Sequence, residues 1–297
     1  YYYLGNDGKP VTGLQEIDGK KYYFGNGGCL EKGNYIKQGN KVVYNGWVKY
    51  MTGKTSYGMR YYEEKTGEMY TGIHTINGTT FYLDPQTGYR SSGIQYVDGK
   101  YYQFGNGGDL KKNTWFFDPQ KKKHYAGKDG VLYTGFKTIA KEKYYFDDTS
   151  CLVVGTAKNP ICEINGKYYY VTKTGKIQTN KTYVKNGKKY KFNKKGVMTN
   201  APKVAKTKIK KATATTGGMK LQWKKNKSVA GYEIVIATER KGPYTKVKTI
   251  KKNKTVSAKI KNLKSGQTYY VKMRSYKKVN GICFYSGYSS VKTVVVK

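Results

Sequence analysis

The sequence has few acidic residues, few histidines and no long apolar run. Asp and Glu together make up 18 of its 297 residues, and there are 2 histidines, so the usual general acids and bases are scarce. No stretch approaches the roughly 18–20 apolar residues that a membrane-spanning helix needs. Tyr and Gly are abundant instead, with 33 and 36 residues. This composition favours many short strands joined by tight turns, because aromatic residues suit strands and glycine readily adopts positive φ.

The few candidate catalytic residues lack a catalytic arrangement. His74 occupies the position that Gln15 and Gln95 hold in similar segments. His124 follows the basic run Lys121–Lys123. Most carboxylates fall in turns, where they bond the local backbone. Because no nucleophile elbow or phosphate-binding loop occurs either, we predict that the chain is not an enzyme.

Cysteine is also sparse, and the four residues are Cys29, Cys151, Cys162 and Cys283. They form no Cys-x-x-Cys pair and have no histidine beside them in the sequence, so we predict no metal site and no cofactor. Cys151 and Cys162 are close enough in sequence to bridge one hairpin. The alternative is that the cysteines are free thiols that pack as small apolar side chains.

The charge is strongly positive, with 57 Lys and Arg residues and a formal net charge of +39. Residues 1–200 carry +16 of it and residues 201–297 carry +23, since the second segment has only Glu233 and Glu239 as acidic residues. A field of this size attracts polyanions such as teichoic acids, anionic lipids, sulfated glycans or nucleic acid. The alternative is that the lysines only keep a Tyr-rich surface in solution.

Residues 1–200 contain an internal repeat of about 20 residues. Each of about nine units has a turn such as Asp18-Gly19 or Asn77-Gly78, then an aromatic cluster and a second turn. Asp-Gly and Asn-Gly between apolar runs predict a hairpin, and a lone hairpin is marginal in water. We therefore predict a solenoid of stacked β-hairpins. A Gly or Asn recurs about every 20 residues and serves as the landmark of each repeat. These landmark residues are Gly13, Gly33, Gly53, Gly72, Gly93, Asn113, Gly135, Gly155, Asn180 and Asn200.

Residues 201–297 break the repeat and show alternating strands instead. Leu221-Gln222-Trp223 places two apolar side chains on one strand face, and Tyr232–Ile236 continues the pattern. Several short strands in a segment of this length predict an immunoglobulin-like β-sandwich. The sequence thus predicts an all-β protein with a domain boundary after residue 200.

The repeats resemble the cell-wall-binding and glucan-binding repeats of Gram-positive surface proteins, a superfamily that includes choline-binding repeats. Gly13–Phe24 and Gly93–Tyr102 are similar to such repeats along their whole length. Choline-binding repeats normally have Trp before the Tyr-Tyr pair, where it forms part of an aromatic cage for quaternary ammonium. A cationic side chain at that position would repel the positively charged ligand. We therefore expect choline not to be the main ligand. In this chain the position holds Lys21, Arg60, Thr80, Lys100, Lys143, Lys167 and Lys189.

Strand alternation suggests which residues of the repeats bind ligand. Lys21 and Tyr23 share one face of their strand, and Tyr22 lies on the other. We expect the face with the cation to be nearer solvent, where a ring stacks on sugar and an ammonium pairs with an anion. The alternative is that Lys packs its stem across the ring. The predicted carbohydrate-binding residues are Tyr23, Trp47, Tyr62, Tyr82, Tyr102, Trp115, Tyr145 and Tyr169. The predicted anion contacts are Lys21, Arg60, Lys100, Lys143, Lys167 and Lys189.

The C-terminal segment resembles bacterial fibronectin type III domains over nearly its full length. Trp223 matches the core Trp of that family. Leu263 to Tyr269 matches its tyrosine corner, in which the Tyr hydroxyl ties a strand to a loop. The resemblance implies structural roles for Trp223, Leu263 and Tyr269.

Together the resemblances imply a non-catalytic, extracellular segment that anchors a larger secreted Gram-positive protein. The expected partner is wall polymer, either teichoic acid or peptidoglycan-linked glycan, or glucan. Because the chain opens within a repeat, at Tyr1-Tyr2-Tyr3, we expect a longer parent protein. Two alternatives stay open, namely a host-glycan adhesin or toxin-like receptor-binding module, and a structural spacer. Nucleic acid is the weakest candidate partner, because such repeats are typical of exported proteins.

Overall fold

The computed structural model describes residues 1–30, 35–38, 41–44, 46–51, 57–63, 66 and 68–297. Throughout these ranges the regular secondary structure consists of strands without a helix, and the predicted all-β class is confirmed. Accordingly, nothing in these ranges forms an apolar helix that could cross a bilayer. Two of the predicted repeat landmarks, Gly33 and Gly53, lie outside the described residues.

The first eighteen strands of the described chain pair in sequence order into nine two-stranded antiparallel hairpins. The sequence predicts about nine repeat units in residues 1–200. The strands are β1 (Gly13–Ile17), β2 (Lys20–Phe24), β3 (Tyr35–Gln38), β4 (Lys41–Tyr44), β5 (Trp47–Met51), β6 (Tyr57–Tyr61), β7 (Gly72–Ile76), β8 (Thr79–Leu83), β9 (Gly93–Val97), β10 (Lys100–Phe104), β11 (Thr114–Phe117), β12 (Lys123–Ala126), β13 (Gly135–Ile139), β14 (Glu142–Phe146), β15 (Ile161–Ile164), β16 (Lys167–Tyr170), β17 (Thr182–Lys185) and β18 (Lys188–Lys191).

The hairpin turns follow from their Asx-Gly dipeptides. Asp98 has φ 48° and Gly99 has φ 77°, so both central residues of the β9–β10 turn have positive φ. A type I′ turn needs this geometry, and its twist matches that of the flanking strands. The β13–β14 turn has the same positive φ at both central residues without glycine, with Ala140 at φ 48° and Lys141 at φ 65°. Hairpin register is therefore fixed locally in most repeats.

A second set of backbone hydrogen bonds joins the hairpins from β5–β6 to β17–β18 to earlier ones. After such a hairpin the chain turns back, and a closing residue donates its N–H to a strand carbonyl of an earlier hairpin. The Leu110 N–H donates to Thr80 O, and the Leu132 N–H donates to Tyr101 O, both at 2.8 Å. The Ile177 N–H donates to Lys143 O at 2.8 Å in the same way. These hairpins thus depend on an earlier one for part of their backbone pairing.

The C-terminal segment forms two larger antiparallel sheets around one core. A three-stranded sheet has the order β19-β20-β23, and a five-stranded sheet has the order β22-β21-β24-β25 with β26 paired to β24. Side chains of both sheets, including Trp223 and Tyr232, fill the core between them. The strands are β19 (Ile209–Thr215), β20 (Gly218–Trp223), β21 (Gly231–Ala237), β22 (Thr245–Ile250), β23 (Ser257–Lys261), β24 (Thr268–Val279), β25 (Ile282–Tyr285) and β26 (Lys292–Val295).

The three residues with predicted structural roles lie in or against this core. Trp223 is 3% exposed and packs edge-on against Tyr232, with ring centroids 5.4 Å apart. Leu263 and Tyr269 pack against the same core. The Tyr269 hydroxyl accepts a hydrogen bond from the Lys264 N–H at 3.2 Å, which ties the start of β24 to the preceding loop.

The chain divides into two compact units. Unit 1 comprises Tyr1–Lys137 with Phe146–Leu152, and unit 2 comprises Thr138–Tyr145 with Val153–Lys297. Within unit 2 the last hairpins and the C-terminal strands share a core that includes Tyr190 and Phe284. The C-terminal strands thus have a core of their own and share a second core with the last hairpins, and the predicted domain boundary stays a prediction.

Candidate functional site

Three of the rings predicted to bind carbohydrate are buried. Tyr62 is 0% exposed, Tyr82 is 9% exposed and Tyr169 is 6% exposed. Tyr62 forms a bridge with Met69 and Tyr169 forms one with Val197, so the returning chain covers these rings. The expectation that this strand face is exposed is wrong for these three residues, because strand alternation takes no account of the returning chain.

The partner rings of the aromatic pairs are not uniformly internal either. Tyr144 and Tyr168 are buried, whereas Tyr22, Tyr61, Phe81 and Tyr101 are half-buried, as are Tyr23, Tyr102 and Tyr145 on the predicted binding face. Both faces of the hairpins that carry these rings are thus partly covered. These hairpins do not have one solvent-exposed face and one buried face.

The predicted anion contacts also separate into two groups. Arg60 is 5% exposed, its Nε donates to Thr87 O at 2.8 Å, and its guanidinium lies 3.9 Å from the Tyr23 ring centroid. A residue held in this way is part of the packing, so its predicted role as an exposed anion contact is wrong. Lys21 is half-buried, and its Nζ donates to Pro85 O at 2.9 Å. The remaining four are exposed, namely Lys100, Lys143, Lys167 and Lys189.

The two repeat tryptophans lie in aromatic clusters of the same design. The Trp47 cluster comprises Trp47, Tyr61, Tyr70, Phe81 and Arg90. Trp47 lies directly opposite Tyr61 in the β5–β6 hairpin, so both side chains project from one face. Ring centroids are 5.2 Å apart for Trp47–Tyr61, 5.0 Å for Trp47–Phe81 and 5.0 Å for Tyr61–Tyr70. The Arg90 guanidinium lies 5.5 Å from the Trp47 ring centroid.

The Trp115 cluster comprises Trp115, Tyr125, Tyr133, Phe146 and Lys123. Trp115 lies opposite Tyr125 in the β11–β12 hairpin, with ring centroids 4.9 Å apart. Tyr133 is 5.1 Å from Tyr125, and Phe146 is 5.9 Å from Trp115. Lys123 Nζ lies 4.4 Å from the Trp115 ring centroid. Each cluster thus combines a hairpin Trp-Tyr pair, a Tyr from the returning chain, a Phe and a cation.

In both clusters a cation of the protein itself lies within cation–π distance of the tryptophan. Such contacts contribute about 0.5–2 kcal/mol each and occupy the π-face that a quaternary ammonium ligand would use. A choline headgroup would have to displace Arg90 or Lys123 and would be repelled by it. A neutral sugar ring is not repelled by the cation, so it can stack on an uncovered aromatic face and accept hydrogen bonds from the cation.

Sequence reasoning names the two tryptophans as candidate binding residues but not the rings around them. Trp47 and Trp115 were expected in the site, whereas Tyr61, Tyr70, Phe81, Tyr125 and Tyr133 were not. A signal for the tyrosines was present, because Tyr70 and Tyr133 directly follow the closing residues Met69 and Leu132. The other closing residues precede Val11, Glu31, Ser91, Lys111, Val153, Gln178 and Thr199 instead.

A shallow pocket of about 290 Å³ lies beside the β9–β10 hairpin. Tyr96, which is 64% exposed, and Tyr101 line it with ring centroids 4.7 Å apart. Lys100 and Asp148 add polar groups to the rim. The pocket offers a third aromatic surface, with an exposed ring and opposite charges nearby.

No protein-family model matches the chain, but it is related to known proteins. It is 32% identical over 291 residues to glucosyltransferase-I of Streptococcus downei, a match that covers 91% of this chain and 16% of the relative. It is 33% identical over 199 residues to glucosyltransferase-S of Streptococcus mutans, covering 61% of this chain and 13% of that protein. The chain is similar to segments of streptococcal glucosyltransferases. It spans only about a sixth of the length of the first of them.

Among solved structures the chain is similar to choline binding protein F from Streptococcus pneumoniae, determined in the presence of a peptidoglycan analogue. The identity is 25%, the match covers 67% of this chain and 61% of that chain, and the TM-score is 0.46.

Proposed function

We propose that this chain is a non-catalytic carbohydrate-binding segment of a larger secreted protein, and that it holds that protein on extracellular glucan. The observation that carries the proposal is the pair of matching clusters around Trp47 and Trp115, in which ring edges and a cation lie together. The similarity to glucosyltransferases, whose name refers to glucosyl transfer, supports glucan as the polymer.

The same proposal includes the finer architecture. Residues 1–200 are a solenoid of hairpins, and the backbone bonds between hairpins support this assignment. Residues 201–297 are a fibronectin type III-like sandwich that acts as a spacer. The buried Trp223 and the hydrogen bond between the Lys264 N–H and the Tyr269 hydroxyl support it.

Retention of the protein on cross-linked dextran, an α-glucan, tests the proposal. We expect Trp115→Ala to weaken retention roughly tenfold, since loss of one central anchor ring costs more than about 1 kcal/mol. Phe117→Ala is the matched control, because this ring lies in the same hairpin, is 66% exposed, and lies farther from Lys123 Nζ than Trp115 does, at 5.9 Å against 4.4 Å. We also expect free choline not to elute the wild-type protein.

Two results would contradict glucan binding through these clusters. One is equal retention of the Trp115→Ala and wild-type proteins on dextran. The other is elution of the protein from wall material by choline, which would show that the cations over the tryptophans do not exclude quaternary ammonium.

Anionic wall polymer is the second candidate ligand, and the exposed Lys100, Lys143, Lys167 and Lys189 favour it. Charges separated by more than about 8 Å are screened at physiological ionic strength, so this binding must weaken as salt rises. Sedimentation with walls before and after removal of teichoic acid separates the two ligands. Equal sedimentation with both wall preparations would leave neutral glycan as the target.

A further inference from the structure

A polar cluster in unit 1 lies apart from the aromatic clusters. Asp118 follows β11, His124 lies in β12, and Cys151 lies in the turn after β14. The Leu152 N–H donates to Lys123 O at 2.8 Å, so the link between hairpins places this turn beside β12. The fold thereby brings a thiol next to an imidazole 27 residues away in the sequence.

The three side chains present one oxygen, one nitrogen and one sulfur to a common point. His124 Nε2 lies 3.3 Å from Asp118 Oδ2 and 3.9 Å from Cys151 Sγ. All three donor atoms lie within 4.8 Å of one another. Bonds to zinc of about 2.0–2.3 Å place neighbouring ligand atoms about 3.3–3.8 Å apart in a tetrahedron, so only a small closure is needed.

The imidazole is held in the orientation that such a site requires. His124 is 1% exposed, and its ring stacks on Phe116 with centroids 5.2 Å apart and an interplanar angle of 14°. Its Nδ1 lies 3.0 Å from the hydroxyl of Ser150, which is 0% exposed. A hydrogen bond at Nδ1 fixes the ring and leaves Nε2 to bind a cation, as in most histidine metal sites.

The ligand atoms around Nε2 select a class of cation. A carboxylate oxygen and a sulfur both face this nitrogen, and a single ring proton cannot bond well to both. A divalent cation satisfies all three donors together. Nitrogen and thiolate ligands favour zinc and similar metals over calcium or magnesium, which prefer oxygen.

We propose that Asp118, His124 and Cys151 form a zinc-class metal site with a fourth position for water. The bound metal would hold the turn after β14 against β12. This stabilising role is independent of glycan binding. The sequence predicts no metal site because none of the cysteines has a histidine beside it. Only the stacking of hairpins creates the cluster.

Cobalt(II) tests the site, because a thiolate ligand gives it a charge-transfer absorption in the near ultraviolet. We use the full chain with Cys29, Cys162 and Cys283 replaced by serine, so that Cys151 is the single thiol. One equivalent of cobalt should produce the band, and Cys151→Ser should abolish it. The matched control restores Cys162 and replaces Cys151, and it should show no band.

A second variant and a second measurement guard against misfolding. Ser150→Ala removes the positioning hydroxyl and should weaken cobalt binding roughly tenfold, because partners of metal ligands contribute about 10–100-fold. Zinc should raise the Tm of the single-thiol chain and leave that of its Cys151→Ser variant unchanged. A band that persists without Cys151, an unchanged Tm with zinc, or an equal rise with magnesium would overturn the proposal.

Discussion

The hairpin repeats and the C-terminal strands bury their side chains to different degrees. Every residue of β21 is buried, because this strand has a partner on each side and a second sheet across the core. No residue of β9 is buried, because its sheet has only two strands. A two-stranded sheet cannot by itself cover large rings, so a repeat ring such as Tyr62 becomes buried only where other parts of the chain pack on it. Other repeat rings, such as Tyr96, stay accessible, and under the proposed function such rings are available to glucan, whereas the aromatic side chains of the C-terminal core contribute to stability.

Substitution of tryptophan in the C-terminal core should give the largest loss of stability. Trp223 is 3% exposed within a core of large apolar residues. We expect Trp223→Ala to lower the free energy of unfolding by about 4 kcal/mol, as at other buried aromatic positions. Denaturant unfolding measures the change. A loss below about 1 kcal/mol would show that this core tolerates a cavity as easily as an exposed site does.

Substitution of Arg274 should give the next largest loss of stability. Its guanidinium binds Glu163 of β15 at 2.7 Å and Glu233 of β21 at 2.8 Å. We expect Arg274→Met to cost about 3 kcal/mol, because it removes the cation that Glu163 and Glu233 share and leaves Glu233 with only the more distant Lys246 at 3.9 Å.

Lys246→Met is the matched control for Arg274, since Lys246 also contacts Glu233 but its side chain is 60% exposed. This exposed contact should contribute below about 1 kcal/mol. Equal losses for the two variants in denaturant unfolding would contradict the assignment of Arg274 as a link between the last hairpins and the C-terminal strands.

The half-buried Trp115 should be less important for stability than Trp223. Its ring is covered by the neighbours of the Trp115 cluster on part of its surface only. We expect Trp115→Ala to cost about 2 kcal/mol, below the range for fully buried rings. Thermal melting and dextran retention of the same protein measure stability and binding together. A cost equal to that of Trp223→Ala would remove the distinction between the two regions.

A rise to alkaline pH should give the smallest loss of stability. Burial raises the pKa of Tyr168 from 10.0 to about 12, and the hydrogen bond from the Tyr285 N–H opposes the shift in part. The unfolded chain loses this proton first as pH rises above 10, so stability present below pH 10 decreases towards pH 12. From pH 9 to 11 we expect Tyr168 to contribute a decrease of about 1 kcal/mol.

Tyr168→Phe isolates this contribution. The variant should be less stable than wild type at pH 9, where the Tyr285 N–H loses its partner, but its stability should decrease less steeply up to pH 11. Other tyrosines with raised pKa, such as Tyr288, keep some of the decrease in both proteins. Identical slopes in urea unfolding would show that Tyr168 ionises equally in the folded and unfolded chains.

Prediction from sequence worked where one local rule decided the structure. Asp98-Gly99 predicted a hairpin turn, and both residues have the positive φ that it requires. Strand alternation placed Leu221 and Trp223 on one strand face, and both side chains lie in the C-terminal core. Prediction failed at Tyr62 and Arg60, whose burial depends on the returning chain and on rings of other hairpins.

The sequence by itself determined the all-β class, the hairpin turns and the charge, because turn dipeptides, strand alternation and composition act within a few residues. Only the tertiary structure decided which rings are covered, how Trp47 comes to lie beside Arg90, and how His124 meets Cys151. These depend on hydrogen bonds such as that from the Leu152 N–H to Lys123 O, which join residues in different hairpins. The side-chain pattern within one hairpin has a period of two residues and carries no information about such distant pairs.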